Sequence, residues 1–161
     1  MTFQIKRIDG AYNGLASKIR FIKNCYRTSL EEPLVRRRAE EAAGRGERAV
    51  QAKNLFDWIR AHLAYTRDPI GVEMTKSPAV MVQQITSKGQ AYGDCDDHAC
   101  LGYAMLKSIG IPVKLRVAWY NKAMPQHIYL LAQFKDRWYP FDTTRKQGFG
   151  EEPKPAKVLD F

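Results

Sequence analysis

Three side chains in this 161-residue chain have the types and settings to do covalent chemistry: Cys95, His127 and Asp142. Cys95 follows Gly93-Asp94, in which glycine permits a sharp turn and aspartate is a preferred N-cap. Cys95 is therefore expected in the first turn of a helix that runs to Ile109 and is ended by Gly110-Ile111-Pro112. At that position unpaired backbone N–H groups and the helix dipole favour a thiolate, the form of cysteine that attacks carbonyls. The Cys95 N–H can also serve as one donor to the oxyanion of acyl transfer, with Gln90 and Tyr92 as candidate second donors. Asp94, Asp96 and Asp97 act against the thiolate, because three carboxylates near Cys95 raise its pKa. Protonated His127 is expected to offset them.

Thiolate chemistry needs an imidazole to take the proton and a carboxylate or amide to orient it, and both can come from distant parts of the chain. Of three histidines, His62 sits in a helical stretch without a local partner and reads as structural or solvated. His98 shares a face with Leu101 and Met105 and reads as a core-edge residue. His127 opens a strand-like run. Parity tests its link to Asp142. If Lys135-Asp136 is a two-residue turn, Phe134 pairs with Arg137 and Tyr129 lies opposite Asp142. His127 and Asp142 then become diagonal neighbours on one face, roughly 7 Å apart at the backbone. A turn at Phe134-Lys135 would place them directly opposite, and one at Asp136-Arg137 would separate them too far. A three-residue loop without a bulge would put them on opposite faces.

The elements that must position these groups are legible in outline. Ala11 to Tyr26 has Leu15, Ile19 and Ile22 at helical spacing, Glu31-Glu32-Pro33 opens a second helix to Ala43, and Gly44-Arg45-Gly46 breaks it. Glu47 to Ala64 carries the apolar stripe Val50, Leu55, Trp58, Ile59 and Leu63. Asp68, before Pro69, should be extended; Ile70 to Val80 reads as a loop punctuated by Gly71 and Pro78, with a short helix at Ala79 to Ile85. After the Cys95 helix, whose small Ala99 and Gly102 allow a sheet to approach, come strands at Val113–Tyr120, His127–Phe134 and Trp138–Thr143. The rest reads as a loosely held tail. The chain is expected to be one domain, with a basic helical extension (1–46), a core (47–145) and the tail (146–161).

A hydrophobic content of 45% and a charged content of 27% fit a soluble globular domain and exclude a disordered or collagen-like chain. No stretch has the length of a membrane span, and the first residues lack the apolar block of a secretion signal, so the expected location is cytoplasmic or particle-borne. Three cysteines, Cys25, Cys95 and Cys100, are too few for a disulfide framework, and each reads first as a reduced thiol. The net charge of +9 is uneven: residues 1–50 carry eleven basic and six acidic side chains, while 51–110 carry six of each. A basic rim suits an anionic partner, although no basic stripe is interleaved with stacking aromatics.

Gly93-Asp94-Cys95-Asp96-Asp97-His98-Ala99, Leu106 to Val113, Gln126-His127-Ile128-Tyr129 and Trp138 to Thr144 together resemble the transglutaminase-like domain of the papain-like cysteine peptidase superfamily. Tyr65, Asp68-Pro69, Glu73 and Pro78 resemble the segment before the nucleophile in compact bacterial and phage forms. The resemblance covers about residues 50 to 145. It implies an α+β fold with the nucleophile's helix packed on an antiparallel sheet, Cys95 as nucleophile, His127 as general base and acid, and Asp142 as orienting carboxylate. It also implies a peptide or protein substrate and no cofactor. Two alternatives accompany this reading. One is a non-catalytic assembly or binding module, such as a phage structural component, docking through the basic N-terminal region. The other is a metal site of Cys95, Asp97, His98, Cys100 and His127, whose local spacing is not that of a zinc finger or ribbon.

Overall fold

The computed structural model describes residues 4–6, 11–30, 33–70, 73–121, 123 and 127–161. The expected Glu31-Glu32 helix start, the Gly71 turn and Gln126 lie outside them. In chain order the elements are β1 (Gln4–Lys6), α1 (Ala11–Leu30), α2 (Pro33–Ala43), α3 (Arg48–His62), β2 (Leu63–Tyr65), β3 (Glu73–Thr75), α4 (Pro78–Lys88), β4 (Ala91–Gly93) and α5 (Cys95–Ser108). Four strands follow, β5 (Val113–Trp119), β6 (His127–Phe134), β7 (Arg137–Phe141) and β8 (Lys157–Asp160). The fold is α+β, as expected. None of the described helices is long and apolar enough to cross a membrane.

Helix α5 is the hub. Every residue from Asp96 to Leu106 is buried, which a helix tolerates only when neighbours surround it. Helices α1, α2 and α3 pack around it, and the sheet takes the remaining side. Gly102 is the contact point with the sheet: a Cβ there would stand 2.8 Å from Leu130 Cδ1 and 3.3 Å from the Phe141 ring. A side chain there would have to push the Leu130 methyl aside, so glycine suits that approach.

The sheet has strand order β7-β6-β5-β8 with antiparallel neighbours throughout. Lys135 and Asp136 form the two-residue turn, both at positive φ (52° and 59°), as a hairpin turn matched to strand twist requires. Phe134 pairs with Arg137 and Leu130 with Phe141, which is the register the parity argument assumed. Ile128, Leu130, Ala132 and Phe134 join the hydrophobic core, so alternation turns His127 and Tyr129 to the other face.

Four departures from the sequence reading matter. Helix α1 runs on to Leu30. The chain leaves α3 at His62, not Ala64, because Leu63 is buried as the first residue of β2, which pairs in parallel with β4 (Leu63↔Ala91, Tyr65↔Gly93). The segment from Lys146 is no loose tail: β8 pairs with β5, and Arg116 holds Asp160 (Nε to Oδ1, 2.7 Å) and Glu152 (Nη1 to Oε1, 3.0 Å). Finally, Cys25 and Cys100 are not free thiols. They form a disulfide that joins α1 to α5 across 75 residues, leaving Cys95 as the free cysteine.

Candidate active site

The start of α5 is built by a reciprocal capping box. Asp94 Oδ1 accepts from the N–H groups of Asp96 (2.9 Å) and Asp97 (3.3 Å), while Asp97 Oδ2 accepts from the Asp94 N–H (3.2 Å). The other Asp97 oxygen accepts from the Lys76 N–H at 2.7 Å, tying the segment after β3 to the same turn. Gly93 is required by this closeness, since a Cβ would stand 2.4 Å from Asp97 Cβ. The box engages the N–H groups of residues 94, 96 and 97, and the Cys95 N–H stays outside it. Gln90 and Tyr92 bond to each other at the surface (Oη to Oε1, 3.2 Å).

Burial pushes Asp94 up to about 7, helped by Asp96, Asp97 and Asp68, and pushes Asp97 up to about 6. Crowded carboxylates cannot all ionise cheaply. Cys95 feels the same surroundings. Burial first, then Asp96 and Asp94, raise its thiol well above the ordinary value, while Lys18 and the Ile128 backbone N–H pull it back. Of the three aspartates expected to oppose the thiolate, Asp96 and Asp94 do so, and the pull against them comes from Lys18 and the Ile128 N–H, where His127 was expected. The Cys95 thiol donates to Asp96 Oδ1 at 3.6 Å. On the other side Tyr65, opposite Gly93 in the β2–β4 pair, has its phenol raised by burial and by Cys95.

Ile128, whose N–H faces the sulfur, is the residue after His127, so the start of β6 meets the start of α5. His127 Nε2 lies 2.6 Å from Asp142 Oδ2, the diagonal pair that strand parity predicts. Asp142 is buried. Burial would raise its pKa, but the hydrogen bond and charge of His127 and two bonds from Thr144 outweigh that and leave it below its usual value. The Thr144 hydroxyl donates to Asp142 Oδ1 at 2.6 Å and its N–H to the same oxygen at 3.1 Å. Arg145 Nε stands 3.7 Å from Asp142 Oδ2.

The ring of His127 stacks on Tyr129 (centroids 5.3 Å, 24°), and the Tyr129 hydroxyl donates to Glu152. The chain's last segment thus braces the imidazole. His98 is buried beside the pair, with Nδ1 2.7 Å from the Thr143 hydroxyl and Nε2 lacking a partner among the described residues. Burial lowers its pKa to about 4, so it is neutral near pH 7. His62 stacks on Trp58 and bonds its carbonyl through Nδ1 at 2.8 Å, a structural role at the end of α3. The five-ligand metal alternative does not survive: Cys100 is in the disulfide. Among the described residues Asp94, Cys95 and Asp96 cluster within 4.8 Å, but Asp94 caps α5 and Asp96 pairs with Lys18.

The cysteine that opens α5 and the His127–Asp142 pair stand on elements that meet, since the Ile128 N–H faces the Cys95 sulfur. Residues 36–143 match the transglutaminase-like superfamily, and the chain belongs to that family. Among solved structures, a protease candidate from Parabacteroides distasonis aligns with a TM-score of 0.62 at 15% identity, covering 89% of this chain and 29% of its own. A cysteine protease candidate from Cytophaga hutchinsonii aligns with a TM-score of 0.54 at 19% identity, covering 99% of this chain and 58% of its own. At these identities the likeness is one of fold, and this chain spans less than two thirds of either protein. None of the curated proteins is a significant sequence match. Family and fold support a cysteine-dependent enzyme in general.

Proposed function

We propose that the protein catalyses acyl transfer on peptide or side-chain amide bonds, with Cys95 as nucleophile, His127 as proton carrier and Asp142 as the group that orients it. The observation that carries this reading is the 2.6 Å bond between His127 Nε2 and a buried, ionised Asp142, made where the Cys95 sulfur faces the next residue's N–H. An ionised carboxylate only accepts, so Nε2 carries a proton, and the neutral form of the ring that can act as base has its lone pair on Nδ1. The thiol proton passes to Nδ1 as sulfur bonds to the amide carbon. The resulting oxyanion is met by the Cys95 N–H, and Nδ1 then protonates the departing amine as the C–N bond breaks. Water, giving up a proton to Nδ1, attacks the thioester; the acid forms and the thiol is restored. An amine in place of water would give a new amide, and hydrolysis is favoured because water is the default acceptor.

A peptide-library screen for cleavage or amine incorporation tests this. Activity abolished in Cys95→Ala is the expected result. A wild-type protein that does neither, and whose Cys95 labels no faster with a thiol probe than a denatured cysteine, would favour the non-catalytic module.

A further inference from the structure

We infer that Lys18, on a helix outside the matched family segment, is a positioning residue of this site: its ammonium group balances Asp96 and weakens the hold of that carboxylate on the Cys95 thiol. The inference rests on Cys95 being the nucleophile and adds a group the triad reading does not contain. Lys18 Nζ stands 2.6 Å from Asp96 Oδ2, and Asp96 is 2% exposed. The other oxygen of the same carboxylate is the one that accepts from the Cys95 thiol at 3.6 Å. An unbalanced Asp96 would hold the thiol proton and repel the thiolate; a lysine on its far oxygen weakens both effects.

The contact is held by covalent structure. Lys18 and Cys25 are seven residues apart on α1, hence on one face, and Asp96 and Cys100 are four apart on α5, again on one face. The Cys25–Cys100 bond therefore pins together the two helical stripes that meet at the Lys18–Asp96 pair. The charged or titratable groups acting on the sulfur are Asp94, the N-cap of α5, Asp96 from α5, Lys18 from α1 and Tyr65 from β2, with His127 the residue before the Ile128 N–H that faces it. Lys18 is the permanent cation among them.

The test is the rate of Cys95 alkylation by iodoacetamide against pH, on the full chain without reductant. Lys18→Met should move the profile to higher pH and slow alkylation at pH 7 at least tenfold, while Asp96→Asn should move it to lower pH. The double variant should stay within about threefold of Asp96→Asn, because the two side chains act through one contact. A Lys18→Met profile that overlays the wild type, with only a lowered Tm, would reduce the pair to a structural one. If Lys18→Met does not fold, Asp96→Asn decides alone, and an unmoved profile overturns the inference. His127→Ala in the same assay separates the two claims: no change there sinks the catalytic reading, whereas a change there with none in the Lys18 and Asp96 variants sinks only this one.

Discussion

Reducing the Cys25–Cys100 bond should cost up to about 4.5 kcal/mol of stability. The bridged residues are 75 apart, and closing a loop of that length in the unfolded chain removes roughly 15 cal/mol/K of entropy, or about 4.5 kcal/mol near room temperature. Residual structure in the denatured ensemble lowers this figure, so a gap of about 2 to 4.5 kcal/mol is expected. Both cysteines are buried, at 3% and 0% exposure, so the reduced native state keeps its packing and loses only the constraint on the unfolded one. The assay is urea unfolding of the oxidised protein beside protein reduced while unfolded and refolded in reductant, comparing midpoints and slopes. A gap below about 1 kcal/mol would refute the loop-closure argument. Thiol titration of the unreduced, denatured chain should find one free cysteine, and finding all three would remove the bond itself.

Other consequences can be measured on the same protein. Gly93→Ala drives a methyl group into Asp97 and should break the capping box, costing about 2 kcal/mol or more by thermal melting and slowing Cys95 alkylation; an unaltered melt would show that the turn yields freely. His98 is held neutral in the folded protein, with its pKa lowered to about 4 from 6.5, so the unfolded chain takes up a proton first and stability falls as the pH drops through that window. Between pH 7 and pH 5 this amounts to about 2 kcal/mol, which His98→Phe should abolish in denaturant midpoints measured at both pH values; equal acid sensitivity in the two proteins would contradict it. Tyr129→Ala removes the ring that braces His127 and should lower turnover while leaving Cys95 labelling stoichiometry intact, as intact-mass measurement would show.

The parts of the site that were legible in the sequence are those governed by local rules. Gly93-Asp94 announces α5 because a turn and a cap are properties of adjacent residues. The His127–Asp142 pairing follows from a two-residue turn and the period of a strand. What stayed hidden depends on packing between distant segments. Strands β2 and β4 have three residues each, too few to show any period, and they pair in parallel across the intervening helix α4. Lys157–Asp160 follows two prolines and resembles a loop until β5 offers it an edge. Cysteine counting cannot tell a bridge across 75 residues from two buried thiols, and Lys18 looks like any solvated helix lysine until Asp96 is brought against it.

Trapping the acyl intermediate tests the central claim most directly. The protein would be mixed with an activated ester such as p-nitrophenyl acetate, quenched in acid within seconds and mapped by mass spectrometry. One acyl group on the peptide containing Cys95 is the predicted result, forming about 10² to 10⁴ times more slowly in His127→Ala, as expected when a general base is lost. Acyl groups scattered over lysines, or on Cys95 at the same rate in both proteins, would contradict it.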